Sequence, residues 1–351
     1  MNKEEYKRLN IYLNKAFQIL EINDRFLLDN IENLDILFSD ILYFNQNINI
    51  KSTKIVNNLT FLDVYEKAFS IIKKINPAYL NRYEKILDNG TLDFSYNNFY
   101  EDSYYEYDFK TKIEQININR TFNYTDVVLL IHEFFHLLNS NTNKNLKNNY
   151  LLTEFVSIYF ELIAIKQLIL EGFVDEVDYS SRLENTYFHM QHFLDYSPIL
   201  LSFREFGCVD DDSYKLINKY FYEMSQKEFL IKTKKILSFL DKKYEQYKKN
   251  TKFNSFYSDN IYLILSDCFN SNYRYIIGSI CAFYALYNCD IKDIILLNDN
   301  LKNEQLDNYS LIELLSMLKI NIQDNNFVYD VTNSVNNYVN FVEKRKEKKI
   351  W

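Results

Sequence analysis

The chain has 351 residues, enough for one large domain or two ordinary ones, and its 47% of hydrophobic residues excludes a wholly disordered protein. Only 4 glycines and 2 prolines are present, so no Walker loop, no glycine-rich dinucleotide-binding turn and no all-β fold with frequent tight turns fits. The net charge of −8 argues against nucleic acid as a partner.

Helical patterns dominate the first hundred residues. Helices are predicted over 3–22 and 24–43, and apolar residues at steps of three and four predict a longer amphipathic helix over 61–75. Asn76-Pro77 ends that helix and begins the next, with Asn76 as N-cap and Pro77 at the first helical position. This next helix is predicted to end near Asn89-Gly90.

A change of pattern follows, from helix to strand and back. Residues 107–122 alternate in the way that is typical of one or two strands. Thr125-Asp126 is then expected to cap an apolar helix with the sequence VVLLIHEFFHLL. An Asn-rich loop over 139–149 separates it from an almost wholly apolar helix over 151–171, which Gly172 ends. We therefore expect a mainly α fold with a small β-sheet beside the helix of residues 125–138.

Helices continue to the end of the chain. Breaks are predicted at Pro198, around Gly207 and near Asn270-Ser271.

The strongest chemical signal is His132-Glu133-Phe134-Phe135-His136, an HExxH motif. Positions i and i+4 of a helix lie one above the other, so both imidazoles can bind one metal ion, and Glu133 can serve as general base. The alternative is a buried helix whose histidines bond only to backbone. Two histidines and a carboxylate in an otherwise apolar run are costly to bury without a partner, which favours the metal site.

The next helix offers a third ligand. Glu154, Ser157 and Glu161 lie on one face of an otherwise apolar segment, at steps of three and four. Glu154 is expected to complete the ligands of one Zn²⁺ per chain. Ser157 and Glu161 are expected to support the ligands, Glu161 by accepting a hydrogen bond from a zinc-bound histidine. The alternative is a pair of glutamates that face solvent.

These segments resemble the zinc peptidases of the thimet oligopeptidase and oligoendopeptidase F family. TDVVLLIHEFFH is followed by TEFVSIYFE, whose Glu154, Ser157 and Glu161 match the family's second signature. Further along, YRYIIG over 273–278 is similar to the family's Tyr-x-Tyr-x-x-Gly segment. The three segments occur in family order between about residues 105 and 290.

The resemblance implies a helical zincin-type (gluzincin) metallopeptidase with a reduced N-terminal lobe over 1–105 and a catalytic lobe over 106–351. Tyr275 would donate to the developing oxyanion, with Tyr273 as its neighbour. The strand over 113–122 would be an edge strand that pairs with an extended peptide. From the pattern alone, an interior strand of a small sheet is the alternative.

The chain also differs from the family. Phe135 stands where the family has Gly, and Asn139 where a third His commonly follows. The family has a substrate-binding His shortly before its tyrosine pair, whereas His192 is the last histidine of this chain. His189 and His192 are interpreted as ordinary helix residues, as a second metal site or as replacements for that His.

The preferred hypothesis is a zinc endopeptidase that cleaves short peptides by zinc-activated water, with Glu133 as general base. The alternatives are a zinc-binding pseudopeptidase that binds peptides or regulates, and a helical protein with a coincidental motif. The four cysteines form no metal or disulfide pattern, and neither a signal peptide nor an 18-residue apolar stretch appears. We therefore expect a cytoplasmic location and no membrane partner.

Overall fold

The structure is a computed structural model that describes residues 1–17, 58–94, 103–108, 111–139, 149–173, 177–217, 225–249, 261–301, 311–324 and 326–350. The helices are α1 (Lys3–Phe17), α2 (Phe61–Ile75), α3 (Leu80–Asp88), α4 (Thr125–Asn139), α5 (Asn149–Leu170), α6 (Ser181–Phe206), α7 (Ser213–Ile217), α8 (Gln226–Lys249), α9 (Ile261–Asn288), α10 (Ile291–Asn300), α11 (Leu311–Met317) and α12 (Phe327–Ile350). The strands are β1 (Leu92–Asp93), β2 (Tyr104–Asp108) and β3 (Ile113–Asn117). The prediction of a mainly helical chain with a small sheet is confirmed; the helix predicted over 24–43 and most of the 139–149 loop lie outside the described residues.

Capping residues and a glycine turn explain where helices α2 and α3 begin and end. Thr60 and Asp63 form a reciprocal capping box at the start of α2. The Asn76 side chain accepts the Ala78 N–H and begins a short 3₁₀ turn with Pro77 at its first position. After α3, Gly90 adopts a φ of 64°, the left-handed conformation that glycine tolerates best, and the chain turns into β1.

The sheet has the order β1-β3-β2, so β3 is its central strand. β3 pairs antiparallel with β2 along its length, and Ile116 and Asn117 pair on the other side with β1, which runs parallel to it. The expectation of an edge strand at 113–122 is therefore wrong, and the interior strand left open by the pattern is correct. The two-residue β1 that covers β3 is too short to give an alternating pattern of its own.

Two predicted helix breaks are also wrong. Helix α6 continues through Pro198, because the long helix keeps its other hydrogen bonds and Ile199 and Phe203 pack into a core. Helix α9 continues through Asn270-Ser271, because these residues lower helix propensity by only about 0.5 kcal/mol each and do not block the backbone. The ends at Gly172 and Gly207, both with positive φ, are as predicted.

The chain divides into two compact units, one of Met1–Asp35 with Tyr187–Tyr273 and one of Ile36–Thr186 with Arg274–Trp351. This division differs from the predicted lobes 1–105 and 106–351, because helix α2 packs against α4 within the second unit. In the first unit, α1, α6 and α8 share an apolar core that includes Leu9, Phe203 and Phe229.

The core of the second unit is built around α4 and α5. The ring of Phe135 stacks on Phe160 of α5, with centroids 3.9 Å apart, and meets Tyr79 edge-on. Phe134 meets Tyr83 of α3 edge-on. Both phenylalanines of the HExxH motif are thus packing residues, and they hold the motif helix between α3 and α5.

Candidate metal centre

Side-chain hydrogen bonds hold the loop that leads into helix α4. The Asn123 side chain accepts the Thr125 N–H at 2.7 Å, and Asp126 accepts the N–H groups of Thr121 and Phe122 at 2.7 and 3.1 Å. Thr125 is the first helical residue, and Asp126 bonds back to the loop that precedes the helix. Phe122 adopts a φ of 62°, which lets the chain leave the sheet and enter the helix sharply.

Three predicted ligands converge. His132 Nε2 lies 3.0 Å from His136 Nε2 and 3.7 Å from Glu154 Oε1, and His136 Nε2 lies 3.4 Å from Glu154 Oε2. Among the described residues these three form the one group of His, Cys, Asp and Glu side chains close enough to share a metal ion. His132 and Glu154 are buried, and His136 is partly buried.

The group fits zinc. Bonds of about 2.0–2.1 Å in a tetrahedral site place ligand atoms roughly 3.3 Å apart, close to the three separations observed here. Glu154 Oε1 is buried and has no hydrogen-bond partner in the described part of the chain. A buried carboxylate oxygen without a donor is unfavourable, and a cation between the three side chains removes that cost.

Two buried residues, Glu161 and Arg182, form a hydrogen-bonded chain that begins at the Nδ1 atom of His132. Its Nδ1 lies 2.9 Å from Glu161 Oε2, as the sequence predicts, and Arg182 donates to both oxygens of Glu161. Burial opposes ionisation of Glu161, but Arg182 and the His132 hydrogen bond outweigh it and lower the pKa of Glu161 to about 2. The carboxylate is therefore ionised and can accept a hydrogen bond from a protonated Nδ1, and Nε2 is the ring nitrogen that faces Glu154. Burial opposes protonation of His132, but the hydrogen bond to Glu161 and the surrounding carboxylates outweigh it and raise its pKa.

Sequence reasoning missed Arg182. It lies in the first turn of α6, where a cation is disfavoured by the helix dipole, and it is 7% exposed. A positive charge directly after Ser180-Ser181 was the available signal.

Glu133 is buried next to the ligands, 5% exposed. Burial raises the pKa of Glu133, while His132 and His136 lower it and the carboxylates of Glu154 and Glu161 raise it; the balance is a raised pKa. For Glu154, burial raises the pKa, but the hydrogen bond and charge of His136 outweigh that effect and lower it. The pKa of Glu133 is thus raised and that of the neighbouring Glu154 is lowered, a pattern that is typical of a base beside a metal ligand.

Tyr275 lies in the same electrostatic environment. The charge of Glu154 and then burial raise the pKa of its phenol, and Arg182 acts in the opposite direction. Tyr273 belongs to helix α9, but its side chain lies outside the described residues. Three residues along from Tyr275, a Cβ added to Gly278 would lie 3.3 Å from Glu154 Cγ and 3.3 Å from the Phe155 nitrogen. Helices α9 and α5 therefore approach each other closely at Gly278, beside Glu154.

Ser157 and Asn139 have buried polar atoms without partners among the described residues. Ser157 Oγ lies on the face of α5 that carries Glu154 and Glu161, and it makes no hydrogen bond there. The supporting role expected for Ser157 is therefore not seen as a described contact. Asn139, three residues after His136, is 1% exposed and neither amide atom is paired within the described chain.

His189 and His192 lie on α6 in the first unit, where the exposed ring of Phe188 packs against both. They form no metal-ligand group with any other described residue.

Among the described helices, none combines the length and the hydropathy needed to cross a bilayer. Comparison of the chain with protein-family models, with curated proteins and with solved structures gave no match.

Proposed function

We propose that this protein is a zinc-dependent endopeptidase, an oligopeptidase that hydrolyses peptide bonds in short, extended peptides, and that it is a short, divergent gluzincin of the thimet oligopeptidase and oligoendopeptidase F type. The observation that carries the proposal is the convergence of His132, His136 and Glu154 with a buried Glu133 beside them. Zinc binding alone does not require Glu133, whereas hydrolysis requires a base at that place.

The residues divide the chemistry as follows. A bound zinc ion supplies Lewis acidity, which polarises the scissile carbonyl and acidifies water. The Glu133 carboxylate takes a proton from the attacking water, whose oxygen adds to the carbonyl carbon. Glu133 then delivers this proton to the amide nitrogen as the C–N bond breaks, leaving a carboxylic acid and an amine; the acid then loses its remaining proton to the amine or to solvent. Its raised pKa suits both steps, because a base that later acts as an acid works best near the operating pH.

Tyr275 serves the oxyanion in this proposal. Its phenol donates to the carbonyl oxygen as negative charge develops there, and its raised pKa keeps the proton in place at neutral pH. The site residues are buried, so an extended strand can reach them more easily than the surface of a folded protein.

Metal content and peptide cleavage test the proposal together. We expect one zinc per chain in the wild type by elemental analysis, and cleavage of a quenched peptide library. Glu133→Gln is expected to keep the zinc and lose turnover, while His136→Ala and Glu154→Ala purify with substoichiometric zinc. Glu66→Gln, an exposed carboxylate on α2, is the matched control and should change neither quantity. Full zinc in Glu154→Ala would refute the third-ligand assignment.

The second candidate is a zinc-binding pseudopeptidase that binds peptides or regulates a partner. It is favoured by the absence of any histidine after His192, since the family uses a histidine before its tyrosine pair. A wild type with full zinc that binds peptides but cleaves none would support this candidate. A wild type without zinc would support a purely structural helical protein.

Substrate size gives a separate prediction. We expect cleavage of flexible peptides and of an unfolded chain, and no cleavage of the same chain when it is folded and poor in loops, because the ligands are buried. Mass analysis of products from the folded and unfolded forms of one protein checks this. Efficient cleavage of the folded form would contradict the restriction to short peptides.

A further inference from the structure

The ion pair between Arg182 and Glu161 joins two helices behind the metal centre. Arg182 Nε donates to Glu161 Oε1 at 2.9 Å, and Nη2 donates to Oε2. Only 8% of the Arg182 side chain and 4% of the Glu161 side chain are exposed. Two parallel hydrogen bonds hold a carboxylate in one plane, so Glu161 has little freedom to rotate.

The oxygen that accepts from Nη2 also faces His132. Glu161 Oε2 lies 2.9 Å from His132 Nδ1, on the side of the ring away from Glu154. We propose that Arg182 is a positioning residue for zinc: acting through Glu161, it fixes the ring orientation and the Nδ1–H tautomer in which His132 Nε2 can bind the metal. This inference rests on the proposed zinc site.

The choice of arginine matters to this role. A lysine would keep the positive charge but offer a single point of attachment, whereas the planar guanidinium matches both carboxylate oxygens. A neutral residue at position 182 would leave the buried Glu161 without a cation and free to turn away from His132. The expected order of zinc affinity is therefore wild type, then Arg182→Lys, then Arg182→Gln.

Two measurements test this role of Arg182: the zinc affinity, and the proton position on the His132 ring in the metal-free protein. By competition with a chelator, Arg182→Gln should weaken zinc binding by about 10- to 100-fold, with Arg182→Lys in between, as removal of groups that orient ligands typically does. In metal-free protein with ¹⁵N-labelled histidine, NMR should show a proton on His132 Nδ1 that is hydrogen-bonded to Glu161 in the wild type, and partial loss of that bonded proton in Arg182→Gln. Substitution of each of the other three histidines assigns the signals.

Two controls separate positioning from general damage. Arg82→Gln breaks an ion pair with Glu114 elsewhere in the same unit and should leave zinc affinity and the His132 tautomer unchanged. If Arg182 acts only through Glu161, the double variant Arg182→Gln/Glu161→Gln should bind zinc no more weakly than Glu161→Gln alone.

The outcomes are distinct. A folded Arg182→Gln with wild-type zinc affinity and the wild-type tautomer overturns the inference. If Arg182→Gln does not fold, Arg182→Lys decides, since equal affinity in Arg182→Lys and the wild type also overturns it. A wild type that binds no zinc refutes the proposed function, while the tautomer of the metal-free protein still tests the role of Arg182.

Discussion

At the scale of single residues, the pKa values of the two neighbouring carboxylates Glu133 and Glu154 shift in opposite directions because their surroundings differ. Glu154 lies against both histidines, which favour its charged form, whereas burial dominates at Glu133 and favours its neutral form. Adjacent groups with opposite tendencies suit a ligand that stays ionised beside a base that exchanges a proton.

Tyr275→Phe tests the oxyanion donor. The tetrahedral intermediate carries more charge on oxygen than the substrate does, so a phenol that donates to it acts mainly in the transition state. We expect kcat to fall by roughly 100-fold or more, with KM within a few-fold of the wild type. Steady-state kinetics and zinc content of the purified variant check this.

Tyr273→Phe is the comparison variant and should cost less. A wild-type kcat in Tyr275→Phe, together with loss of activity on substitution of His189 or His192, would move the donor role to α6.

At the scale of elements, α9 approaches α5 closely at Glu154, the proposed third ligand. Gly278 allows the α9 backbone to approach Glu154 and Phe155, and Tyr275 lies one turn away on the same helix. The glycine of the YxYxxG motif therefore has a steric reason, because a side chain at this position would force α9 away from α5 beside Glu154.

Gly278→Ala is expected to push α9 away from α5. The new Cβ would meet a backbone nitrogen and the Glu154 side chain at 3.3 Å, and backbone cannot give way cheaply. We expect a loss of about 1–3 kcal/mol of stability, as for overpacked cores, together with weaker zinc binding. Urea unfolding of the metal-free protein and chelator competition measure the two effects.

Ser279→Ala is the matched control. Ser279 is buried beside Gly278, and its hydroxyl has no partner among the described residues, so its removal should leave zinc binding unchanged. Unchanged stability and zinc affinity in Gly278→Ala would show that the helices can separate without cost.

At the scale of the whole molecule, helix α5 links the candidate metal centre to helix α2 within the second unit. Near its start it carries Glu154, and just after its end Glu171 accepts hydrogen bonds from Lys67, Lys74 and Gln167. Burial opposes ionisation of Glu171, but the hydrogen bonds from the two lysines and the glutamine together outweigh it and lower the pKa of Glu171 to about 2. The cluster ties α5 to α2, which packs on the HExxH helix.

The Glu171 cluster gives a pH-dependent contribution to stability. Because the folded pKa of about 2 is below the usual 4.5, the contribution is complete above pH 4.5 and is lost as the pH falls through 2. Glu171→Gln should therefore lower the free energy of unfolding at pH 7 by about 0.5–1 kcal/mol, the value for partly exposed pairs, and by less at pH 3. Urea unfolding at both pH values checks this.

Glu66→Gln, an exposed carboxylate of α2 without an ion pair in the described chain, is the control for the change of charge. A difference for Glu171→Gln that grows toward pH 3 would contradict the assigned direction of the pKa shift.

The sequence alone determined the features that depend on neighbours along the chain. The caps at Asn76, the glycine ends at Gly90, Gly172 and Gly207, and the i, i+4 spacing of the HExxH histidines follow from local geometry, which the structure confirms. Glu154 and Glu161 were also identified from the sequence, because a carboxylate in an apolar helix is costly without a partner.

Only the tertiary structure decided the rest, because it depends on residues that are distant in sequence. β3 is central because the two-residue β1 pairs with it. Helix α6 passes through Pro198 because packing outweighs propensity, and α9 passes through Asn270-Ser271 because the propensity cost there is small. Arg182 is 21 residues from Glu161, and its charge can be buried only because those two side chains meet. No local pattern encodes such a meeting, since long-range pairing is set by the packing of whole helices rather than by the residues beside them.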